Sequence, residues 1–165
     1  MLEGEDGGMG GMKLMLLAGL LGMGGVMADS VRVYVGTGGD DGIFLTELDT
    51  KTGAMTAPTL ATKANGAGFL VLDAEGKRMF ATARGEDGNS VAGYAVREDG
   101  TLELKNYQSS KGKGSCYVGL DGTGKMLMVA NYGSGGVAAY AVGEDGSVKE
   151  SRSFFQHEGS SINEQ

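Results

Sequence analysis

The chain has 165 residues, among them 32 glycines, one proline, one cysteine, one histidine and no tryptophan, a length typical of a single domain. Its net charge of -7 argues against a nucleic-acid surface, because phosphate binding depends on clustered lysine and arginine. The single Cys116 excludes an internal disulfide. With only one histidine, the sequence also lacks the cysteine and histidine spacing of a zinc site, so no metal is predicted.

The N-terminal segment has the pattern of a signal peptide over residues 1–28. An apolar run from Leu14 to Leu21 follows Lys13, and Ala28 precedes the first polar residues as a candidate cleavage point. Translation could equally start at Met12. The run is shorter than the roughly 20 apolar residues that span a bilayer, so the sequence predicts export to the periplasm or exterior without a transmembrane span. The alternative is a disordered or loosely helical tail.

An internal repeat organises the rest of the sequence. RVYVGT from Arg32, RMFATA from Arg78 and MLMVAN from Met126 align at spacings of 46 and 48 residues. The match extends upstream to FLVLDAEGK and YVGLDGTGK, and downstream to IFLTELD, VAGYAV and VAAYAV. Each unit indicates four short strands joined by tight turns, which is the pattern of a β-propeller blade.

The repeat predicts an all-β protein built of blades of four antiparallel strands. We assign residues 29–66 to a first blade that lacks its innermost strand, 67–113 to a second, 114–157 to a third, and 158–165 to the connection toward a next blade. Propellers typically need four to eight blades to close a ring. Three units therefore indicate either a piece of a longer reading frame or a protein that assembles with other copies.

The stretch GLDGTGKM, from Gly119 to Met126, satisfies seven of the eight positions of a phosphate-binding loop. The eighth position should be serine or threonine to hold magnesium, and Met126 cannot do so. A strand-like run follows Lys125 instead of a helix, and LDAEGKRM occupies the same place in the preceding unit. We interpret both copies as hairpin turns, with aspartate capping the turn and glycine taking a positive φ.

Two further sets of residues are candidates for chemistry. His157 is the only histidine, and an imidazole can act as general acid or base near neutral pH. It can equally be a polar residue at the start of an inter-blade loop. Asn131 and Tyr132 end a strand, where a polar pair can line a cleft or cap a hairpin.

The run LDGTGKMLMVANYGSGGVAAYAV, followed by FFQHEGSSIN, resembles the seven-bladed propeller lactonase family of 6-phosphogluconolactonase-type proteins. The resemblance implies a ring of seven blades, of which about three are present. It also implies a central cleft that binds a sugar lactone or related acid and hydrolyses it without a cofactor. The oligomeric state stays open.

The resemblance also assigns candidate site residues. His157 is the catalytic candidate, and the substrate-binding candidates in the matched motifs are Asn131, Tyr132, Gln156, Ser160 and Asn163. Where the family has Cys-His at the start of the innermost strand, this sequence has Cys116-Tyr117, so Tyr117 becomes a further substrate-binding candidate. The family's segment with histidine and arginine is expected beyond Asn163.

These expectations lead to two functional hypotheses. The first is the N-terminal part of an exported lactonase-like propeller, with the 165-residue chain itself inactive. The second is a non-catalytic propeller that serves as a ligand-binding or protein-interaction scaffold.

Overall fold

A computed structural model of the protein describes residues 29–86 and 88–159, which form eleven β-strands and, within those ranges, no helix. The strands are β1 (Ser30–Gly36), β2 (Ile43–Asp49), β3 (Thr59–Thr62), β4 (Leu70–Leu72), β5 (Arg78–Gly85), β6 (Gly88–Val96), β7 (Leu102–Ser109), β8 (Ser115–Leu120), β9 (Met126–Asn131), β10 (Gly136–Val142) and β11 (Val148–Gln156).

The strands form three antiparallel sheets, each made of strands consecutive in sequence. The first sheet has the order β1-β2-β3, the second β4-β5-β6-β7 and the third β8-β9-β10-β11. The predicted all-β class and the blades of four antiparallel strands are confirmed. In the first sheet β1 pairs with β2 alone, so one edge of β1 has no partner strand among the described residues.

The middle sheet is buried on both faces, which explains why β5 and β6 carry apolar residues at consecutive positions, Met79 to Ala81 and Val91 to Val96. Met79 and Ala81 point to the first sheet, whereas Phe80 points to the third, as the alternation of side chains along a strand requires. β6 does the same with Tyr94 and Val91. Two hydrophobic cores therefore lie between successive sheets and stack the three sheets side by side.

The predicted hairpin turns are confirmed in both copies. Oδ1 of Asp73 accepts the backbone N–H groups of Lys77 (2.8 Å) and Arg78 (3.1 Å), and Gly76 has a φ of 67°. In the second copy Oδ1 of Asp121 accepts the equivalent N–H groups of Lys125 and Met126, both at 2.9 Å. The GLDGTGKM stretch is thus the turn between β8 and β9, and a strand follows its lysine.

Arg78 joins the second sheet to the third. Its Nε forms a 2.8 Å ion pair with Asp73, and its two terminal nitrogens donate to the carbonyls of Gly143 (3.2 Å) and Gly124 (3.1 Å) in two turns of the third sheet. Arg32, at the aligned position in β1, reaches the Glu98 carbonyl of the second sheet at 2.6 Å. Burial works against the carboxylate of Asp73, but the hydrogen bonds from Arg78 prevail and lower its pKa.

The strand order places the loops at two opposite ends of the sheets. One end carries the turns after β4, β6, β8 and β10, and we call it the turn face. The other end carries the β9–β10 turn (132–135) and the inter-sheet connections 63–69 and 110–114, and we call it the connector face.

Two predictions made for the ends of the sequence, the signal peptide over residues 1–28 and the connection toward a next blade, fall wholly or mostly outside the described residues. Across the described ranges, the structure contains no helix long and apolar enough to cross a membrane.

Candidate functional site at the connector face

A cavity of about 330 Å³ opens at the connector face, where loops of all three sheets meet. Its lining contains one formally charged side chain, Arg84, and neither a carboxylate nor an imidazole. The lining residues are Gly38, Gly66, Gly68, Phe69, Thr82, Ala83, Arg84, Asn89, Gly114, Ser115 and Cys116. The cavity therefore combines a positive charge with mostly small walls.

Arg84 lies near the end of β5 and is held over the connection that precedes β4. Its backbone N–H donates to the carbonyl of Asn65 at 2.8 Å. Gly66 has a φ of 74°, and a Cβ placed there would lie 2.7 Å from Cγ of Arg84. The absence of a side chain at Gly66 thus lets the aliphatic stem of Arg84 cross this connection. Arg84 forms no ion pair with any residue in the described ranges.

Thr82 fixes the wall below Arg84. Its buried hydroxyl accepts the backbone N–H groups of Gly68 (3.2 Å) and Phe69 (3.0 Å), and donates to the carbonyl of Gly66 at 3.3 Å. One side chain therefore satisfies three groups of a connection that has no regular secondary structure. The cavity wall is held by the strand beneath it.

Asn89 closes the other side of the cavity. Its Oδ1 accepts the N–H of Gly114 at 3.2 Å, and its carbonyl accepts from the backbone N–H and the hydroxyl of Ser110, at 3.0 and 3.1 Å. Nδ2 of Asn89 and the hydroxyl of Ser115 have no hydrogen-bond partner in the part of the protein that the structure describes. Both groups are available to a ligand.

An aromatic pair lies at the start of the two innermost strands. The rings of Phe69 and Tyr117 are 4.6 Å apart between centroids and inclined by 51°. The two residues occupy aligned positions before β4 and within β8, and both remain partly exposed, at 39% and 51%. Phe69 lines the cavity, and Tyr117 follows Cys116 of its lining. Tyr117 itself does not line the cavity, but it contacts Phe69 and follows Cys116, which both do.

Asn131 and Tyr132 do not share a cleft. Asn131 is 2% exposed, and its Nδ2 donates to the Ser110 carbonyl at 2.8 Å, whereas the Tyr132 side chain is 85% exposed. Consecutive residues at a strand end point to opposite sides, and here one side is the joint between the second and third sheets. The Asn131 side chain thus lies in this joint and not in a cleft with Tyr132, and its substrate-binding role stays a prediction.

Gln156 and His157 lie together against the β9–β10 turn. Nε2 of Gln156 donates to the carbonyls of Ser134 and His157, and the N–H of His157 donates to the carbonyl of Gly135 at 3.0 Å. Neither residue lines the 330 Å³ cavity. The catalytic role of His157 stays a prediction, as do the binding roles of Gln156, Tyr132 and Tyr117.

The two remaining candidates, Ser160 and Asn163, lie outside the described residues.

Sequence reasoning missed Arg84, Thr82 and Asn89. A signal for Arg84 was present, because the repeat aligns it with Tyr132, which we did select as a strand-end residue. Arg84 is therefore the polar strand-end residue of the preceding unit. The sequence did not indicate Thr82 or Asn89 in this way. Their side chains bind backbone groups of loops, and the repeat aligns the strands but not these loops.

The fold and this site place the protein in a known class. It matches the family described as the 7-bladed β-propeller lactonases over residues 32–165, and it belongs to that family. The resemblance noted in the sequence is thereby confirmed.

Among curated proteins, the chain is similar to two 6-phosphogluconolactonases. It is 32% identical to that of Bacillus subtilis over 130 residues, which cover 76% of this chain and 37% of the relative. It is 27% identical to that of Formosa agariphila over 124 residues, which cover 73% of this chain and 35% of the relative. The chain therefore spans little more than a third of these relatives.

Solved structures share the fold. A Bacteroides fragilis protein superposes with a TM-score of 0.73 at 24% identity, over 82% of this chain and 39% of that protein. The periplasmic gluconolactonase of Pseudomonas aeruginosa superposes with a TM-score of 0.69 at 22% identity, over 78% of this chain and 39% of that protein.

Proposed function

We propose that the chain is part of a propeller that hydrolyses a sugar lactone, with the lactone bound at the connector face. The observation that carries this proposal is the cavity that loops of three successive sheets form around Arg84, in a sequence that matches the lactonase family from residue 32 onward. The names of the relatives in Bacillus subtilis and Formosa agariphila support the substrate class.

The reaction requires groups that this face offers in part. Water adds to the lactone carbonyl carbon, the ring C–O ester bond breaks, and the product is a hydroxy acid whose proton passes to solvent. Hydrogen-bond donors are needed where the oxyanion develops, and Arg84, Ser115 and Nδ2 of Asn89 are suited to that task. A general base is needed for the water, and His157 is the proposed residue by resemblance.

The 165-residue chain by itself is proposed to be inactive. Its three sheets span 35% to 39% of the relatives' lengths and leave the β1 edge without a partner strand among the described residues. A lactone bound at the connector face would be enclosed on one side only. Hydrolysis then needs further blades to complete the ring around the substrate.

Export is part of the same proposal. The pattern of residues 1–28 supports it, and the P. aeruginosa relative of similar fold is periplasmic. N-terminal sequencing of the protein recovered from a periplasmic or culture fraction should give Asp29 as the first residue. An intact N-terminus on the secreted or cytoplasmic protein would contradict it.

One observation favours the alternative of a non-catalytic propeller that binds a ligand. The lining of the cavity contains neither a carboxylate nor an imidazole that could serve as general base. In that case the connector face would bind its ligand without hydrolysing it.

An assay of lactone hydrolysis separates these possibilities. The acid released from glucono-δ-lactone and from 6-phosphogluconolactone would be followed by pH-stat titration, for the 165-residue chain and for the full reading frame that contains it. We expect turnover by the full reading frame and none above the spontaneous rate by the 165 residues alone. Absence of turnover by a folded full-length protein on both lactones would favour the binding function, and turnover by the 165 residues alone would contradict their proposed inactivity.

A further inference from the structure

We infer that the cavity beneath Arg84 is a binding site for the oxyanion group, carboxylate or phosphate, of a small polyhydroxy acid, and that Arg84 is its anchor. The inference rests on the proposed function only for the source of such an acid, which lactone hydrolysis would release. Binding can be measured without turnover, so the two can fail separately.

The charge distribution of the cavity supports an anionic ligand. A guanidinium group presents several N–H donors in one plane and matches the two oxygens of a carboxylate or phosphate. The guanidinium groups of two other arginines already form ion pairs: Arg78 with Asp73 at 2.8 Å, and Arg97 with Glu103 at 3.5 Å. Arg84 has no such partner among the described residues, and no carboxylate lines the cavity to compete with a ligand.

The walls support a small ligand. Four glycines line the cavity, and a Cβ at Gly66 would occupy the space of the Arg84 stem. The volume of about 330 Å³ lies at the lower end of the roughly 300–1,000 Å³ found for small-molecule pockets. This space suits one hexose-sized acid.

The remaining polar groups support a polyhydroxy skeleton. Nδ2 of Asn89 and the hydroxyl of Ser115 are free to bind hydroxyl groups, while the exposed ring of Phe69 offers an apolar surface for the C–H groups of the carbon skeleton. Thr82 cannot serve in this way, because its hydroxyl already serves Gly66, Gly68 and Phe69. The donors and the apolar face thus lie around one charged anchor.

Arg84 also lines a second cavity, which contains a carboxylate. This cavity has a volume of about 550 Å³ and is lined by Arg84 and by the exposed Glu86. A carboxylate that lines a cavity together with this guanidinium opposes an anionic ligand in the 330 Å³ cavity. Removing the charge of Glu86 should therefore strengthen anion binding.

Titration of the 165-residue chain at constant ionic strength tests the inference. Isothermal calorimetry and amide NMR shifts of Gly66, Gly68 and Gly114 would be followed with sodium gluconate, with inorganic phosphate, and with neutral glucose. We expect saturable binding of at least one anion, with shifts at these glycines, and much weaker binding of glucose. Stronger binding of gluconate identifies the carboxylate as the group recognised, and stronger binding of phosphate identifies the phosphate.

Three variants sharpen the test. Arg84→Gln should weaken binding of the preferred anion about tenfold or more, because a charge-assisted pair is lost. Arg97→Gln makes the same charge change at the turn face and should leave binding unchanged, while Glu86→Gln should strengthen it. Circular dichroism establishes that each variant is folded. The inference is overturned if neither anion binds, or if Arg84→Gln and Arg97→Gln bind equally well.

Discussion

Tyr94 and Tyr140 occupy the same position in successive sheets, yet within the described ranges only one of their hydroxyl groups has a hydrogen-bond partner. Tyr140 donates to the Ser109 carbonyl of the preceding sheet at 2.6 Å. Tyr94 is fully buried, and its hydroxyl has no hydrogen-bond partner among the described residues. Burial raises the pKa of Tyr140 to about 12 and raises the pKa of Tyr94 as well, so both rings are neutral at every physiological pH.

We predict different outcomes for removing the two hydroxyl groups. Tyr140→Phe should lower the free energy of unfolding by about 1 kcal/mol, because it breaks a hydrogen bond between sheets. Tyr94→Phe should change it by less than about 0.5 kcal/mol, or raise it, because a buried polar group without a partner disfavours the folded state. Urea denaturation followed by circular dichroism measures both. Equal losses in the two variants would contradict the difference.

A second prediction concerns the close approach of the second and third sheets at Gly93. A Cβ on this residue would overlap the carbonyl oxygen of Gly146 and lie 3.1 Å from Cγ2 of Val148. Gly93→Ala should therefore destabilise the protein by about 2 kcal/mol, since backbone must move to make room. Gly122→Ala is the control, because nothing lies within 4 Å of its Cβ position. Thermal denaturation should show a lower melting temperature for Gly93→Ala and an unchanged one for Gly122→Ala.

A third prediction concerns acid stability. Hydrogen bonds from the Thr123 side chain and from the N–H of Met126 lower the pKa of Asp121 to about 2, below the usual value near 3.9. A lowered pKa in the folded state contributes stability that is present above about pH 4 and is lost as the pH falls toward 2. Asp121→Asn should therefore lower the urea midpoint at pH 6, and its difference from the wild type should shrink toward pH 2.

The matched control is Glu150→Gln, which removes the same charge from an exposed position of β11. Its effect on the midpoint should be small at pH 6. A constant difference between Asp121→Asn and the wild type from pH 6 to pH 2 would show that the carboxylate charge plays no part in the turn.

The repeat made most of this architecture predictable, because a strand that is apolar at every position must be covered on both faces. β5 comes near to this with its continuous apolar run from Met79 to Ala81, and it lies in the middle sheet with both faces covered. The turn chemistry was equally local, since aspartate and glycine at fixed offsets suffice to form the turns at Asp73 and Asp121.

The site was less predictable, because it depends on contacts between sheets. Asn131 is polar and ends a strand, yet the neighbouring sheet buries it against Ser110. Arg84 reaches the cavity only because Gly66, 18 positions earlier, leaves room for its stem. The alternation of apolar and polar residues along a strand predicts neither contact.

The joints between sheets carry a consequence for how such a protein can evolve. The second sheet binds the third through Arg78 and admits its turn at Gly93, but the aligned residues in the third sheet are Met126 and Ala139. These two residues offer neither the guanidinium donors nor the open space with which the second sheet receives a neighbouring turn. The second and third units share a common pattern, yet they could not exchange places and keep this joint, because its chemistry belongs to Arg78 and Gly93 alone of the aligned pairs.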